Sequence, residues 1–262
     1  MNDFLELYRP LFSPELRPVF LAAVFVFGAC IGSFLNVCIW RMPQKESIVF
    51  APSHCTGCHA RIKWYDNIPL VSYLVLAGRC RSCHQRYTSR YFWIELATAV
   101  IFTLLAWRSG GNYAVLPVAF AAAATLIVCG VTDLEHGMIP DKMTGFLLAA
   151  AVADGLLRTG WTEFRPYLAA AAGMFAVLSM VALAGKKLAG RTALGWGDVK
   201  LLSVFMLVSG LLPGLYVTIA ASMGGMVFGL ARALLTHRKL STAEVRFGTF
   251  IALAGLGWLL LR

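Results

Sequence analysis

The sequence predicts an all-α protein that crosses a lipid bilayer with about eight transmembrane helices and carries a zinc-binding loop domain on the cytoplasmic side. Its composition is the first reason. Hydrophobic residues make up 59% of the 262 residues and charged residues only 14%, whereas soluble domains contain about 45–50% apolar and about 25% charged residues. This composition excludes a disordered chain, which needs low hydrophobicity and high net charge, and it argues against an ordinary soluble enzyme.

Apolar segments of suitable length are the second reason. A helix that spans a bilayer needs roughly 17–25 mostly apolar residues. The first segment is too long for a cleaved signal peptide and begins well inside the chain, so we expect a retained helix. One long run is divided in two by helix-interrupting glycine and proline residues near position 210. The segments lie at about 19–40, 91–107, 113–132, 143–157, 167–184, two within 199–235, and 247–261, the fourth and sixth being short.

The basic residues predict the orientation. If segment 41–90 is cytoplasmic, alternation places 133–142, 185–198 and 236–246 on the same side, and these segments with the adjoining helix ends hold 17 of the 23 Lys and Arg residues. This matches the rule that positive residues stay on the cytoplasmic side. Both termini are then expected outside. The net charge of +10 is explained by orientation and by attraction to anionic lipid headgroups, so no nucleic-acid partner is expected.

Four cysteines in the large polar segment predict a metal site. Cys55 and Cys58 form one C-x-x-C pair, and Cys80 and Cys83 form a second pair after 21 intervening residues. Two such pairs can close the tetrahedron of a structural zinc site, although this spacing lies just beyond the usual window of about 15–20 residues. Disulfides conflict with the reducing cytoplasm, and a redox motif needs only one pair. Because four ligands fill the coordination sphere, we expect the zinc to hold the shape of the loop.

The other metal-binding side chains are given a lesser role. Three histidines adjoin the cysteine pairs and are alternative ligands, which a complete four-thiolate set makes unnecessary: His54, His59 and His84. The remaining cysteines lie in apolar segments and are expected to be small packing residues: Cys30, Cys38 and Cys129.

Two aspartates at predicted cytoplasmic helix ends are the candidate catalytic groups. Asp133 ends the third helix and Asp198 begins the sixth. Two carboxylates about 4 Å apart repel by about 4 kcal/mol at an effective dielectric near 20, which separates their proton losses by about 3 pK units. Such a pair shares one proton, so one member activates water while the other polarises a carbonyl. Gly195 and Gly197 would let a substrate backbone approach closely.

Non-catalytic roles are also consistent with the positions of these acids. Asp198 can be the N-cap of its helix, where aspartate is favoured, and Asp133 can belong with Glu135 and Asp141 to a solvated helix edge. Both aspartates could also carry protons or cations in a transporter, but transporter carboxylates usually lie nearer the middle of the membrane. A non-catalytic scaffold of a secretion machine is a further alternative, although a scaffold does not need the two acids.

Several segments in a specific order resemble one family, the type IV prepilin peptidases, also called leader peptidase/N-methyltransferases. The paired cysteines are one of these segments, and a G-x-G-D motif at the sixth helix is another. Together the matching segments cover most of residues 28–235. Besides the cysteines, they are Gly32–Pro43 (GSFLNVCIWRMP), Asn67–Tyr73 (NIPLVSY), Gly78–Cys80 (GRC), Asp133–Asp141 (DLEHGMIPD) and Gly195–Lys200 (GWGDVK).

The resemblance implies a bifunctional enzyme of the bacterial inner membrane. Its aspartyl peptidase would cut the basic leader from type IV prepilins or type II secretion pseudopilins at the cytoplasmic membrane edge, with Asp133 and Asp198 as the catalytic pair. Its methyltransferase would then methylate the new N-terminus using S-adenosylmethionine. The alternatives are a peptidase without methyltransferase activity and, in a different class, a proton-coupled membrane transporter. The resemblance leaves the recognition of the leader unexplained, and Glu135 and Asp141 are a hypothesis for it.

The resemblance also divides the chain. It implies an N-terminal, methyltransferase-associated domain over 19–110, a peptidase domain over 111–235, and a C-terminal helix within 236–262. The chain has no glycine-rich Rossmann fingerprint. Residues in the matched N-terminal motifs are therefore the candidates for binding the methyl donor: Gly78, Asn36 and Arg41. Residues of the G-x-G-D segment that support the peptidase motif are Gly195, Gly197 and Lys200.

Overall fold

A computed structural model describes residues 15–48, 54–55, 57–189, 194–236 and 246–262, and its architecture is all-α. Eight helices of 14 or more residues lie in the described part of the chain. They are α1 Arg17–Arg41, α2 Arg90–Arg108, α3 Leu116–His136, α4 Asp141–Asp154, α5 Gly160–Ala189, α6 Trp196–Ser209, α7 Leu211–Thr236 and α8 Phe247–Leu261. Each predicted apolar segment overlaps one of these helices.

The lengths and the apolar composition of the helices support a membrane protein with five candidate crossings. Among the described residues, five helical stretches are long and apolar enough to cross a bilayer: Arg17–Arg41, Arg90–Arg108, Tyr113–His136, Asp141–Lys187 and Leu211–Leu235. The fourth stretch contains both α4 and α5, because a single π-helical turn over Gly155–Thr159 joins them without an intervening loop. The membrane class is thus confirmed, and eight crossings stay a prediction.

The chain divides into two compact units, the first ending at Leu116 and the second beginning at Pro117. In the first unit, α1 and α2 pack against each other through two glycines of α1. A β-carbon at Gly28 would lie 2.7 Å from the Cα of Ala99, and one at Gly32 would lie 2.7 Å from the Cα of Glu95. Residues four apart share one helix face, so this small-residue face allows a close antiparallel approach of the two backbones.

In the second unit the short helix α6 is central. It packs against α4, α5, α7 and α8, and Val199, Leu201 and Phe205 are completely buried. Helix α6 has only 14 residues. Its apolar side chains are explained by burial against the surrounding helices. Helix α3 packs against α8, where a β-carbon at Gly130 would lie 2.6 Å from the Cβ of Ala252.

Large apolar side chains are exposed along several of the long helices. Soluble proteins rarely expose contiguous apolar surfaces of this kind, so these faces are suited to contact with lipid. Examples on α1, α5 and α7 are Val26, Phe27, Phe34, Val177, Met180, Val181, Met223, Met226 and Val227.

Candidate functional site

The two cysteine pairs lie in two short hairpins with the same backbone pattern. The N–H of Cys55 donates to the carbonyl of Ala60, and the N–H of Cys80 donates to that of Gln85, each at 2.9 Å. In both hairpins the N–H of the histidine after the second cysteine also donates back to the carbonyl of the first cysteine. These histidines, His59 and His84, have φ near +57° and turn the chain. The local sequence therefore builds the same two-thiol turn twice.

The four sulfur atoms fit one tetrahedral ion. All four lie within 4.8 Å of one another, with 3.8 Å between the Sγ atoms of Cys55 and Cys83 and 4.0 Å between those of Cys58 and Cys80. A tetrahedron with Zn–S bonds of about 2.3 Å has edges of about 3.8 Å. The four predicted ligands are thus brought together, and they form the metal-binding group without a histidine.

Backbone N–H groups in each hairpin favour thiolates. Backbone hydrogen bonds from Cys83 and Ser82, the latter with N···S at 3.4 Å, lower the pKa of Cys80 to about 6. In the first hairpin, the backbone hydrogen bond from Cys58 lowers the pKa of Cys55. A thiolate is the form that binds a metal ion, so one sulfur in each turn, that of Cys55 and that of Cys80, is favoured in a form suited to coordination.

The three residues predicted to bind the methyl donor lie in the first unit but have different partners. Gly78 has φ +64°, and a β-carbon there would lie 2.8 Å from the ring of Tyr73. Asn36 is buried on α1 and donates to the carbonyl of Tyr91 at 3.0 Å. Arg41 is also buried and donates to the carbonyl of Ser47 at 3.2 Å.

Asp133 is held by the N-terminus of α8. The carboxylate is buried, with 7% of the residue exposed, and its Oδ2 accepts the backbone N–H of Thr249 at 2.9 Å and the Thr249 hydroxyl at 3.2 Å. The first turn of a helix has N–H groups without helical partners and attracts negative charge. The Thr249 hydroxyl also lies 3.1 Å from the carbonyl of Gly130. Helix α8 therefore holds the Asp133 carboxylate with donors from its first turn.

Asp198 has a different environment in the first turn of α6. Its carboxylate accepts a hydrogen bond from the backbone N–H of Gly195, and a β-carbon on Gly195 would lie 2.8 Å from its Oδ2. The other oxygen, Oδ1, is buried and has no hydrogen-bond partner among the described residues. Asp198 is thus not a simple N-cap, because Gly195 holds that position.

The two aspartates belong to one site. The side chain of Ile139 lies near both of them, because it contacts Gly197, next to Asp198, and also Gly248, next to Asp133. A β-carbon on Gly197 would lie 2.8 Å from the Cβ of Ile139, and one on Gly248 would lie 2.9 Å from its Cδ1 and 3.0 Å from the Cγ of Asp133. The two predicted motifs therefore meet, although 65 positions separate their aspartates.

The supporting residue Lys200 also joins the two motifs. Its Nζ lies 2.8 Å from Oδ1 of Asp141, at the start of α4. This ion pair is exposed and therefore contributes little stability. It nevertheless places a cation and an anion from the two motifs side by side at the rim of the aspartate site.

Sequence reasoning missed the contribution of α8 and of Glu95. Thr249 and Gly248 were outside every motif, although a hydroxyl residue at the predicted cytoplasmic end of an apolar helix was an available signal. Glu95 also lies outside every matched segment, yet it is 8% exposed and accepts the N–H of Leu70 at 2.7 Å.

The aspartate geometry supports acid–base chemistry on a bound amide. The Asp133 carboxylate accepts hydrogen bonds from Thr249, while Asp198 has a buried oxygen that finds no partner among the described residues. Two carboxylates whose surroundings differ in this way can divide the roles of base and acid. The cysteine cluster, in contrast, offers four thiol ligands, the set typical of structural rather than catalytic metal sites.

Comparisons with known proteins match both the region of the cysteine cluster and the region of the aspartate pair. Residues 26–109 match the bacterial peptidase A24 N-terminal domain, and residues 120–230 match the type IV leader peptidase family. A prepilin leader peptidase/N-methyltransferase of Myxococcus xanthus is 39% identical over 226 residues, which cover 84% of this chain and 65% of the relative. The chain thus spans somewhat less than two thirds of that relative.

Two further relatives are covered more completely. A type 4 prepilin-like proteins leader peptide-processing enzyme of Escherichia coli O78:H11 is 34% identical over 95% of this chain and 96% of its own length. A prepilin leader peptidase/N-methyltransferase of Neisseria gonorrhoeae is 29% identical over 94% of this chain and 91% of its own length. No solved structure matches the chain. The chain therefore belongs to the type IV leader peptidase family.

Proposed function

We propose that this protein is a bifunctional enzyme of the bacterial inner membrane that removes the basic leader from type IV prepilins or type II secretion pseudopilins and then N-methylates the new first residue. The meeting of Asp133 and Asp198 from separate helices is the observation that carries the peptidase half. The four-cysteine cluster and the names of the relatives support the methyltransferase half.

In the proposed cleavage step the two aspartates have different roles. Asp133, held by the Thr249 donors, is the ionised base that takes a proton from the attacking water. Asp198 carries its proton on the oxygen that has no partner, Oδ1, and donates a hydrogen bond to the scissile carbonyl. The proton taken from water then passes to the leaving amine, so the pair is ready for another turnover.

The rim of this site is proposed to receive the leader. The leader is basic, and Glu135 and Asp141 are the acids nearest to the Asp133 motif in sequence. Because Asp141 already holds Lys200 at 2.8 Å, a cation of the leader would replace Lys200. By the predicted orientation this rim faces the cytoplasm, while both termini are periplasmic.

The zinc ion and the methyl donor belong to the first unit in this proposal. Cys55, Cys58, Cys80 and Cys83 would hold a structural Zn²⁺, whose role is to fix the loop. S-adenosylmethionine, when bound, supplies an electrophilic methyl group. Gly78, Asn36 and Arg41 remain the proposed residues of the region that binds it, because they lie in the N-terminal motifs.

One reconstitution tests the whole proposal. The purified full-length protein is placed in liposomes with a prepilin, and the substrate is followed by mass spectrometry with and without S-adenosylmethionine. We expect loss of the leader in both cases and the added mass of one methylene group only with the methyl donor. Cleavage without methylation would indicate a peptidase alone. Absence of cleavage, together with proton flux across the liposomes, would favour the transporter alternative.

A further inference from the structure

Glu95 is a buried carboxylate within a membrane-crossing helix that the cleavage mechanism does not use. Only 8% of the residue is exposed. Its carboxylate accepts the backbone N–H of Leu70 at 2.7 Å and a hydrogen bond from the Ser33 hydroxyl. Both donors are neutral, and Glu95 has no cationic partner among the residues that the structure describes. An ionisable group in such a position is costly and usually functional.

The backbone above Glu95 is strained. Leu70 has φ +62° and ψ −50°, and the N–H of Val71 lies 2.7 Å from the carbonyl of Pro69. This is a γ-turn of the rare, strained kind, with a branched residue at its centre. Strained backbone persists only where its surroundings hold it, and it is concentrated at functional sites. The Glu95 carboxylate, near the loop-side end of α2, binds this turn through the N–H of Leu70.

Asn36 supplies a second acceptor on the same helix pair. It is 2% exposed, and its Nδ2 donates to the carbonyls of Tyr91 and Gly32. Its Oδ1 is buried without a hydrogen-bond partner among the described residues. Tyr91 precedes Glu95 by one helical turn, and Gly32 packs against the Cα of Glu95. Asn36 and Glu95 therefore lie at neighbouring levels of the α1–α2 contact.

Two acceptor groups, one of them a carboxylate without a cation, are complementary to a cation with several N–H donors, and an ammonium group has three. We propose that Glu95, with Asn36, binds the α-amino group of the cleaved substrate and accepts its proton before methyl transfer. This inference rests on the proposed methyltransferase function. It adds a base and a binding site for the amine, and it reassigns Asn36 from the methyl donor to the amine, which leaves Gly78 and Arg41 as the candidates for binding the donor.

The proposed step is balanced. The ammonium gives one proton to the Glu95 carboxylate and becomes a neutral amine. The amine nitrogen then forms a bond to the methyl carbon while the methyl–sulfur bond breaks, and that electron pair stays on sulfur. The product is a methylated ammonium and a neutral thioether, and Glu95 returns its proton to water.

The depth of the site favours the amine over the methyl donor. Glu95 and Asn36 lie one to two turns inside the loop-side ends of α2 and α1. The mature substrate begins with an apolar helix, so its amine stays at the membrane edge. The adenosyl and amino-acid groups of the methyl donor are polar and need a wetter environment.

A purely structural role of Glu95 makes a different prediction for Glu95→Gln. The amide oxygen of glutamine can still accept the Leu70 N–H, so a clamp on the γ-turn would survive. The amide cannot take a proton from the amine. We compare this variant with Thr98→Val, which removes a buried hydroxyl on the same helix that bonds only to the carbonyl of Ile94.

The assay uses the full-length protein, a synthetic peptide with an N-terminal phenylalanine followed by an apolar helix, and S-adenosylmethionine. For Glu95→Gln we expect about 10²-fold lower methylation kcat, with unchanged metal content, leader cleavage and S-adenosylmethionine binding. Thr98→Val should stay within about twofold of the wild type. Equal methylation by Glu95→Gln, or loss of S-adenosylmethionine binding, overturns the inference. If the wild type itself does not methylate, the proposed methyltransferase function fails instead.

A binding measurement on the wild type does not depend on the folding of a variant. The amine peptide and its N-acetylated form are compared as ligands in the absence of the methyl donor. We expect the amine form to bind at least about tenfold more tightly, because a buried carboxylate pairs with its charge. Equal binding of the two peptides overturns the inference.

Discussion

The cysteine cluster and the aspartate pair are built in opposite ways. The cysteine cluster comes from two hairpins with the same backbone pattern within one loop, and its four ligands are all thiols whose sulfurs lie within 4.8 Å of one another. The aspartate pair comes from α3 and α6, is completed by α8, and has unequal surroundings at its two carboxylates. Equivalent ligands suit a site that holds shape, whereas unequal acids suit a site that moves protons.

The largest expected effect is on the aspartates. Asp133→Asn and Asp198→Asn should each lower leader cleavage by at least about 10³-fold, because each removes one half of the acid–base pair. Methylation of a peptide that is already cleaved should persist. Both rates are measured by mass spectrometry on reconstituted protein, and near-normal cleavage by either variant would break the assignment.

Asp154→Asn is the matched control. Asp154 is a carboxylate of the same unit that pairs with Arg158 at 2.8 Å. Its loss should change cleavage by no more than about twofold, because this pair joins residues four positions apart in the chain and lies outside both aspartate motifs. A large effect of this variant would show that the cleavage assay responds to general loss of charge.

The next effect concerns the metal. Cys55→Ser should remove most bound zinc and abolish methylation, because the binding energy of a structural zinc ion is folding energy of its loop. Leader cleavage should change much less, since the aspartates lie in the other unit. Metal content is measured by mass spectrometry of the purified protein. Cys30→Ser, outside the cluster, is the control, and full zinc retention by Cys55→Ser would contradict the site.

A smaller effect is expected in the helix pair that carries the cysteine loop. In Gly32→Ala the new β-carbon would meet the Cα of Glu95 at 2.7 Å, so α1 and α2 must separate. Overpacking of this kind costs about 1–3 kcal/mol, measurable as a lower free energy of unfolding in detergent. In Gly173→Ala the new β-carbon has no described atom within 4 Å beyond its chain neighbours and the adjacent backbone of its own helix, so this variant should be neutral or slightly stabilising.

The smallest effect is expected at Thr249. Thr249→Val removes the hydroxyl donor to Asp133 but keeps the backbone N–H, and a neutral hydrogen bond contributes about 0.5–1.5 kcal/mol. Cleavage kcat should therefore fall about two- to tenfold with little change in KM. Thr249→Ser should restore it.

Thr132→Val is the control for Thr249. The Thr132 hydroxyl bonds only within its own helix, to the carbonyls of Val128 and Cys129, and the change should leave kcat nearly unaltered. If Thr249→Ser were impaired and Thr249→Val normal, Thr249 would act through packing. The proposal that hydrogen bonds from Thr249 distinguish Asp133 from Asp198 would then lose its support.

Sequence reasoning found most of the parts. The eight helices lie where the apolar segments predicted them, since helix formation and burial follow local periodicity and hydrophobicity. The four cysteines were identified because their spacing is local. Asp133 and Asp198 could be selected because helix alternation places both at one membrane edge, although 65 positions separate them. Their catalytic roles, the domain boundaries at 110 and 235, and the number of membrane crossings remain predictions.

The parts that were missed depend on contacts between distant segments. The Thr249 donors reach Asp133 across 116 positions, and the Glu95 carboxylate meets a strained turn 25 positions earlier. The sequence by itself determined the membrane class, the helix positions and the set of thiols, because each depends on residues close together in the chain. Only the tertiary structure decided which aspartate is held by donors and which buried acid lacks a cation, because hydrogen-bond partners are set by the packing of helices.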